Sequence, residues 1–430
     1  MTTEELYLLF TKHPVISTDS RNVAPNALFF ALKGENFNGN NYASKALEIG
    51  AAYAVIDEAD CKTSDRCILV DDVLKTLQQL SRLHRLRLKI PIIAITGTNG
   101  KTTTKELITA VLSRKFMVTA TKGNLNNHIG VPLTLLSMTR ETRIGIVEMG
   151  ANHPGEIADL CEIALPDFGL ITNVGKAHLE GFGSFEGVRN SKAELYRFIE
   201  RNSGKIFRNT SSSWLNQMAG GLETIGYRTT PEGEGIEGEI VQQSPTLVFK
   251  AKFLKGWLYL KTNLAGGYNL ENALAAVCIG NYFGVDPLEI SEAIEAYKPT
   301  NNRSQFIKTA SNTILMDAYN ANPSSMDAAL ENFKMFDAHL KGIILGDMFE
   351  LGEASREEHQ KIADKIRSMN LSMVLLTGPE FSQCRVAPDV KVFLDIDSLI
   401  QYLENYKPRG YLFLIKGSRG MKLENVLEKL

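Results

Sequence analysis

Short apolar runs of strand length recur along the chain, separated by stretches whose apolar residues repeat at helical spacing. In the first part, Ala27-Leu-Phe-Phe-Ala-Leu32 reads as a buried strand, and Tyr53-Ala-Val-Ile56 and Ile68-Leu-Val70 as two more. Residues 42–49 and the leucine-rich 73–88 have helical spacing, while Asn36-Phe-Asn-Gly-Asn-Asn41 predicts a turn or loop. The end of the second helix, Arg82-Leu-His-Arg-Leu-Arg-Leu-Lys89, is basic. With no aromatics interleaved, it reads as a solvated helix end rather than a nucleic-acid site.

Pro91 opens a different pattern. Ile92-Ile-Ala-Ile95 predicts a strand, followed by a glycine-containing turn and a helix from about Thr102 with Leu107, Ile108, Val111 and Leu112 on one face. Runs at 144–147, 168–172 and 206–207 alternate with helical stretches, the signature of a parallel sheet with crossover helices. Residues 229–238 are loose and rich in Gly and Glu. Residues 247–249 and 257–260 predict paired strands, and 269–283 a helix. Lys298-Pro-Thr-Asn-Asn302 reads as a linker, after which strands at 314–316, 343–345, 374–376, 392–394 and 411–415 alternate with helices again. The expectation is an α/β protein with domains over 1–88, 89–298 and 299–430.

Length agrees: 430 residues at about 150 per domain suggest three. With 44% apolar and 22% charged residues, large disordered or fibrous architectures are excluded. The net charge of −2 gives no electrostatic reason to bind nucleic acid or an anionic membrane. No apolar run approaches the roughly 18 residues of a spanning helix. The opening Met1-Thr-Thr-Glu-Glu-Leu lacks a secretory pattern. Five scattered cysteines without a C-x-x-C pair indicate neither a disulfide framework nor a zinc knuckle. A soluble cytoplasmic protein is expected.

The strongest chemical signal is Thr96-Gly-Thr-Asn-Gly-Lys-Thr-Thr103, between a strand and a helix start. Gly97 and Gly100 let backbone approach an anion. Amides of Thr98, Asn99 and Thr103 and the helix dipole attract phosphate, Lys101 reaches terminal phosphates, and Thr102 offers a hydroxyl to Mg²⁺. The usual G-x-x-x-x-G-K-[ST] spacing is not met, since Ile95 stands where the first glycine belongs. Glu148 ends a parallel strand, on the ligand edge of the sheet, where a carboxylate suits Mg²⁺. His178 follows a third strand end, as a ligand or a satisfied structural histidine.

Other positions carry two readings each. Ser191-Lys-Ala-Glu194 has capping-box spacing, which puts Lys192 in a first helical turn, against the dipole; an exposed lysine explains it as well. Asn269 and Asn272 share a helix face and suit a nucleotide base, although an Asn cap accounts for the first alone. Arg303 beside the linker fits an arginine finger or an ordinary solvated arginine. Asp317, after a strand, fits a ribose hydroxyl or a structural turn.

Taken together, these motifs resemble the Mur ligase family of ATP-dependent amide-forming enzymes of peptidoglycan precursor synthesis, and the shortened phosphate loop is that family's own form. The resemblance spans essentially the whole chain. Within the family, Asn124-Leu-Asn-Asn-His-Ile-Gly-Val-Pro132, Asp317-Ala-Tyr-Asn-Ala-Asn-Pro-Ser-Ser-Met326, Leu345-Gly-Asp-Met-Phe-Glu-Leu-Gly352 with His359, and Lys416-Gly-Ser-Arg-Gly-Met421 are similar to the branch that adds D-alanyl-D-alanine to a UDP-N-acetylmuramoyl-tripeptide. Ser17-Thr-Asp-Ser-Arg21 resembles a UDP-binding stretch. The resemblance implies an N-terminal UDP-substrate domain, a central P-loop ATPase domain, and a C-terminal Rossmann-like domain for the dipeptide. It implies ATP, two Mg²⁺ and a carbamylated Lys192 acting with Lys101, Glu148, His178 and Arg303. It further implies substrate contacts from Ser20, Arg21, Asn126 and Asn127, and dipeptide contacts from Asn320, Asn322, Lys416, Ser418 and Arg419. A monomer is expected, acting through an acyl phosphate, with neither nucleic acid nor membrane insertion involved. Another ligase of the superfamily, or a non-ligating P-loop ATPase, is the alternative.

Overall fold

The computed structural model describes residues 1–300 and 302–430, so Asn301 of the expected linker lies outside the described residues. Three separate sheets follow one another along the chain. The first is small and all-parallel, in the order Ile16–Ser17, Leu28–Phe30, Tyr53–Ile56, Cys67–Leu69. The helix Val73–Leu88 packs against it, capped by Asp72 accepting from Lys75 N and stopped by Lys89 in the left-handed region. Its basic end is not simply solvated, as the sequence suggested. Arg82 and Arg87 are exposed, but Arg85 is buried and donates to Leu165 O and to Asp167, 3.0 and 2.8 Å away. Asp167 belongs to the second domain, so one arginine of the basic run ties the two units together.

The second sheet has nine strands. Seven run parallel, in the order Ile236–Gln242, Thr224–Arg228, Lys205–Asn209, Phe168–Ile171, Ile92–Thr96, Ile144–Glu148, Val118–Ala120. Val248–Phe253 and Gly256–Lys261 extend it antiparallel. The central strands are apolar throughout because helices cover both faces. The adjacent ends Thr96, Glu148 and Ile171 lie on one edge, so parallel topology gathers the phosphate loop, Glu148 and the segment leading to His178. The helices Lys101–Leu112 and Asn269–Tyr282 pack against one another over this sheet.

The helix carrying Lys192 differs from expectation. It runs unbroken from Phe185 to Arg201, and Ser184, not Ser191, caps it by accepting from Gly187 N. Lys192 therefore lies well inside the helix, buried, and the dipole penalty does not apply. Glu194 accepts instead from Gly155 N and Ala158 N, at the start of the helix Glu156–Ala164. A carboxylate there complements another helix's dipole.

The third sheet has the order Gln305–Lys308, Thr313–Met316, Tyr411–Lys416, Leu340–Gly346, Met373–Thr377, Lys391–Phe393. Only the first strand is antiparallel. The last strand in sequence is inserted at the centre, so Asp317, Asp347 and Lys416 emerge side by side from three neighbouring strand ends. Among the described residues, no helix is long and apolar enough to cross a membrane.

Candidate active site

A cavity of about 1210 Å³ lies between the second and third sheets, along the edge where their strands end. Its floor is the phosphate loop. The strand Ile92–Thr96 ends, Gly97 and Gly100 take positive φ, and the helix begins at Lys101 with no side-chain cap, leaving its first amides free. A Cβ on Gly97 would stand 2.0 Å from Thr172 Oγ1, and one on Gly100 2.4 Å from Asn272 Oδ1, so both positions require glycine. Asn99, inside the loop, donates from its backbone N to Asn173 Oδ1 and accepts at its carbonyl from Asn173 Nδ2 and Thr172 Oγ1. Asn173 thus splints the loop, a role its place in the sequence did not reveal.

Lys101 Nζ is turned back onto Gly97 O and Thr98 O at 2.6 and 3.1 Å. Burial pushes its ammonium down to about 8, Glu148 pulling the other way and Arg303 adding to the fall. Glu148 is buried. Its Oε1 accepts from Thr102 Oγ1 at 3.3 Å and from Asn126 Nδ2 at 2.9 Å. Its Oε2 faces Lys105 Nζ at 3.3 Å as an ion pair, outside hydrogen-bond geometry, and has no hydrogen-bond partner among the described residues. Arg303 stacks 3.6 Å from the centre of the Tyr319 ring, with Nε buried and likewise unpartnered. Buried polar atoms left open at the mouth of a cavity suit a ligand.

Asn269 and Asn272 also line the cavity, but Asn269 is no helix cap. Tyr268 holds that position, and Asn269 Nδ2 donates to Ala265 O while its Oδ1 accepts from Asn272 Nδ2. Asn272 Oδ1 accepts from Thr104 Oγ1 at 3.0 Å. The pair is a buried amide chain joining two helices at the rim. Asp317 accepts from Ser304 N and pairs with Lys416 Nζ at 2.6 Å, so its carboxylate is already engaged. Asn126, Asn127, Asn320, Asn322 and Lys416 line the same cavity.

Six expected residues do not line it. Gly97 acts through loop shape. Lys192 is buried behind the wall, its Nζ 5.2 Å from the Phe182 ring, and burial followed by the charge of Lys101 pushes it down to about 7. Ser418 accepts from Phe349 N, and Arg419 lies 5.6 Å from the centre of the Tyr319 ring. Ser20 and Arg21 sit in the first domain, where Arg21 is exposed and paired with Asp19. His178, on the cavity wall, takes a left-handed φ of 50° and pairs through Nδ1 with Glu350 of the third domain. The imidazole holds the Glu350 carboxyl below the usual range. Glu350 lies within the stretch Leu345-Gly-Asp-Met-Phe-Glu-Leu-Gly352, but nothing in its spacing announces this partner.

Among the described residues, no three His, Cys, Asp or Glu side chains converge as a metal cluster. A cation here would rest on few protein donors, namely Glu148, the Thr102 hydroxyl and His178. The two oxygen donors fit Mg²⁺, which keeps several waters and shares phosphate oxygens, and His178 would add a single nitrogen.

The matches to known proteins follow the three sheets. Residues 14–85 match the Mur ligase family catalytic domain, 95–280 the Mur ligase middle domain, and 302–419 the Mur ligase glutamate ligase domain. The chain is 34% identical to the UDP-N-acetylmuramoyl-tripeptide–D-alanyl-D-alanine ligase of Bacillus subtilis, across 96% of this chain and 92% of that one. Among solved structures, it resembles MurF from Acinetobacter baumannii with a TM-score of 0.86, at 31% identity, covering 96% and 92% of the two chains. It also resembles MurF ligase from Thermotoga maritima in complex with ADP, with a TM-score of 0.84, at 27% identity and 96% of each.

Proposed function

The chain belongs to the Mur ligase family, and from that membership we propose that it joins D-alanyl-D-alanine to UDP-N-acetylmuramoyl-tripeptide at the expense of ATP, in peptidoglycan precursor synthesis. The observation that carries this reading is the meeting of the phosphate loop, Glu148, His178 and Arg303 on one cavity whose opposite wall belongs to another domain.

ATP lies with its phosphates over residues 97–103. Lys101 leaves the two loop carbonyls and turns its charge onto the terminal phosphates, and Arg303 closes from the third domain. Asn269 and Asn272 face the base, and Asp317 the ribose. Ser20, Arg21, Asn126 and Asn127 hold the UDP-linked tripeptide. Thr102, Glu148 and His178 are the cavity groups that would hold Mg²⁺, and Lys192, now turned to the Phe182 ring behind the wall, would join them only as a carbamate; the ion would draw charge from the phosphoryl oxygens when bound. A lysine pushed to about 7 is substantially neutral near neutral pH, as carbamate formation demands.

The chemistry has two steps. An oxygen of the tripeptide's terminal carboxylate bonds to the γ-phosphorus as the bond to the β-phosphate oxygen breaks, giving an acyl phosphate and ADP. The amine of the dipeptide, which Asn320, Asn322, Lys416, Ser418 and Arg419 would hold, then bonds to the acyl carbon. The carbon–oxygen bond to phosphate breaks, and a proton leaves the nitrogen. One cavity draws its walls from two domains of one chain, so a monomer suffices. We assign the reaction to the cytoplasm, where ATP is made.

The test is ADP release with each substrate omitted in turn. Release requiring both the UDP-tripeptide and D-alanyl-D-alanine is expected, and release without them would identify a plain ATPase. Heavy oxygen placed in the tripeptide carboxylate should appear in phosphate, and its absence there would exclude the acyl-phosphate route.

A further inference from the structure

One loop of the third domain is held more firmly than a surface connection needs. Where the strand Leu340–Gly346 ends, three consecutive amides are each engaged by a different element. Asp347 N donates to Thr377 O at 3.2 Å, Met348 N to His359 Nε2 at 2.9 Å, and Phe349 N to Ser418 Oγ at 2.8 Å. Asp347 braces the loop from beneath, accepting from Glu380 N and Phe381 N at 2.9 and 3.0 Å. His359 Nδ1 lies 2.7 Å from Ser355 O, so the proton belongs on Nδ1 and Nε2 is the acceptor. His359 and Asp347 are both fully buried.

The next residue is Glu350, with φ of 61° in the region that non-glycine residues avoid. Its carbonyl accepts from Glu180 N at 3.3 Å, and its carboxylate meets His178 Nδ1. His178 is itself left-handed. Two residues from different domains, both in costly conformations, thus face each other at the reaction centre, and such outliers persist where the surroundings over-determine them. With Nδ1 in ion-pair contact with a carboxylate, though outside hydrogen-bond geometry, Nε2 is the nitrogen left for the cavity. A histidine that ligates a metal commonly gives its other N–H to a carboxylate, which fixes the tautomer and aims the ring.

We propose that Glu350 is a positioning residue, a carboxylate brought by the third domain that sets the tautomer and orientation of His178 so that Nε2 can donate its lone pair to a divalent cation at the phosphoryl-transfer centre. The inference rests on the metal-facing reading of His178 given above. It makes that cation site complete only in the closed arrangement of the second and third domains, so seating the dipeptide domain and seating the cation are coupled.

The test titrates Mn²⁺ into the full chain saturated with ADP, with free Mn²⁺ read by electron paramagnetic resonance and folding checked by thermal unfolding. Glu350→Ala is expected to weaken Mn²⁺ binding roughly ten- to a hundred-fold. Glu350→Gln should fall between Ala and the parent, because its amide oxygen still faces Nδ1 but brings no charge. Glu358→Gln removes a second ion pair between these domains, Lys176 to Glu358 at 3.0 Å, without touching His178, and should leave Mn²⁺ affinity unchanged. Parent-like affinity in Glu350→Ala, or an equal loss in Glu358→Gln, would overturn the proposal. His178→Ala separates the two layers. If it loses affinity while Glu350→Ala does not, only this inference fails; if it keeps parent affinity, the metal-facing reading fails and takes the inference with it.

Discussion

Glu271 sits between the two asparagines of the rim, and burial raises its carboxyl against a hydrogen bond from Asn209 that lowers it. The folded chain therefore holds this proton more tightly than the unfolded chain does. Stability from the group is complete below the unfolded value and is lost as pH rises through the folded one. Glu271→Gln removes that loss, so its melting temperature should gain on the parent's as pH rises from about 4.5 to about 8; parallel melting curves across that range would contradict this. Gly100→Ala tests the loop. With φ of 78° and Asn272 Oδ1 within 2.4 Å of the added carbon, it should cost about 1–2 kcal/mol in denaturant unfolding and also weaken ADP binding. Retention of both parent values would contradict the close approach. The loop residues and Glu148 were legible because their chemistry follows from a strand end and a helix start, both local facts. Asn173 was not, since it acts through the backbone of Asn99. Lys192 was misplaced because Ser191 and Glu194 have cap spacing, whereas Ser184 starts the helix earlier and Glu194 serves a different helix.

Val73–Leu88 could be read to the residue from its apolar periodicity, and Asn269–Tyr282, buried almost all round, from the length of its apolar run. Strands were legible where helices cover both faces and the run is apolar. Val118–Ala120 is only half-buried along its length, and Thr224–Arg228 alternates with polar residues, so neither makes such a run. Gln305–Lys308 is an edge strand with a charged end. The helix Thr3–Lys12 was overlooked although Thr2 and Glu5 form a capping box. Packing between elements also carries the site. Leu274, fully buried on the rim helix, lies against Gly238, where a Cβ would come within 2.4 Å of its side chain. Leu274→Ala should cost about 2–5 kcal/mol of stability, read from the denaturant midpoint. It should also raise the KM for ATP, because Thr104 and Asn272 join this helix to the one that begins at the phosphate loop. A stability change without a change in KM would uncouple the rim from that packing.

The second and third domains meet through polar bonds. Asn322 Nδ2 donates to Asn99 Oδ1 at 2.8 Å, Lys176 N to Ser324 Oγ at 2.9 Å, and Lys176 Nζ reaches Glu358. Contacts of this kind are few and contribute little each, so the arrangement of the two domains is an easily shifted one. Lys176→Ala combined with Asn322→Ala should increase the radius of gyration in small-angle scattering without nucleotide; an unchanged radius would show that these bonds do not hold the domains together. Three domains could be anticipated from length and alternation, but their separate tasks came from resemblance, since a net charge of −2 conceals a site whose positive charge is local. The cavity is walled by both domains, so a turnover that parts them to release its product includes a movement through solvent as well as a chemical step. If that movement is the slower of the two, kcat falls in proportion as glycerol thickens the medium, and the drag of water rather than the making of the amide bond sets the pace.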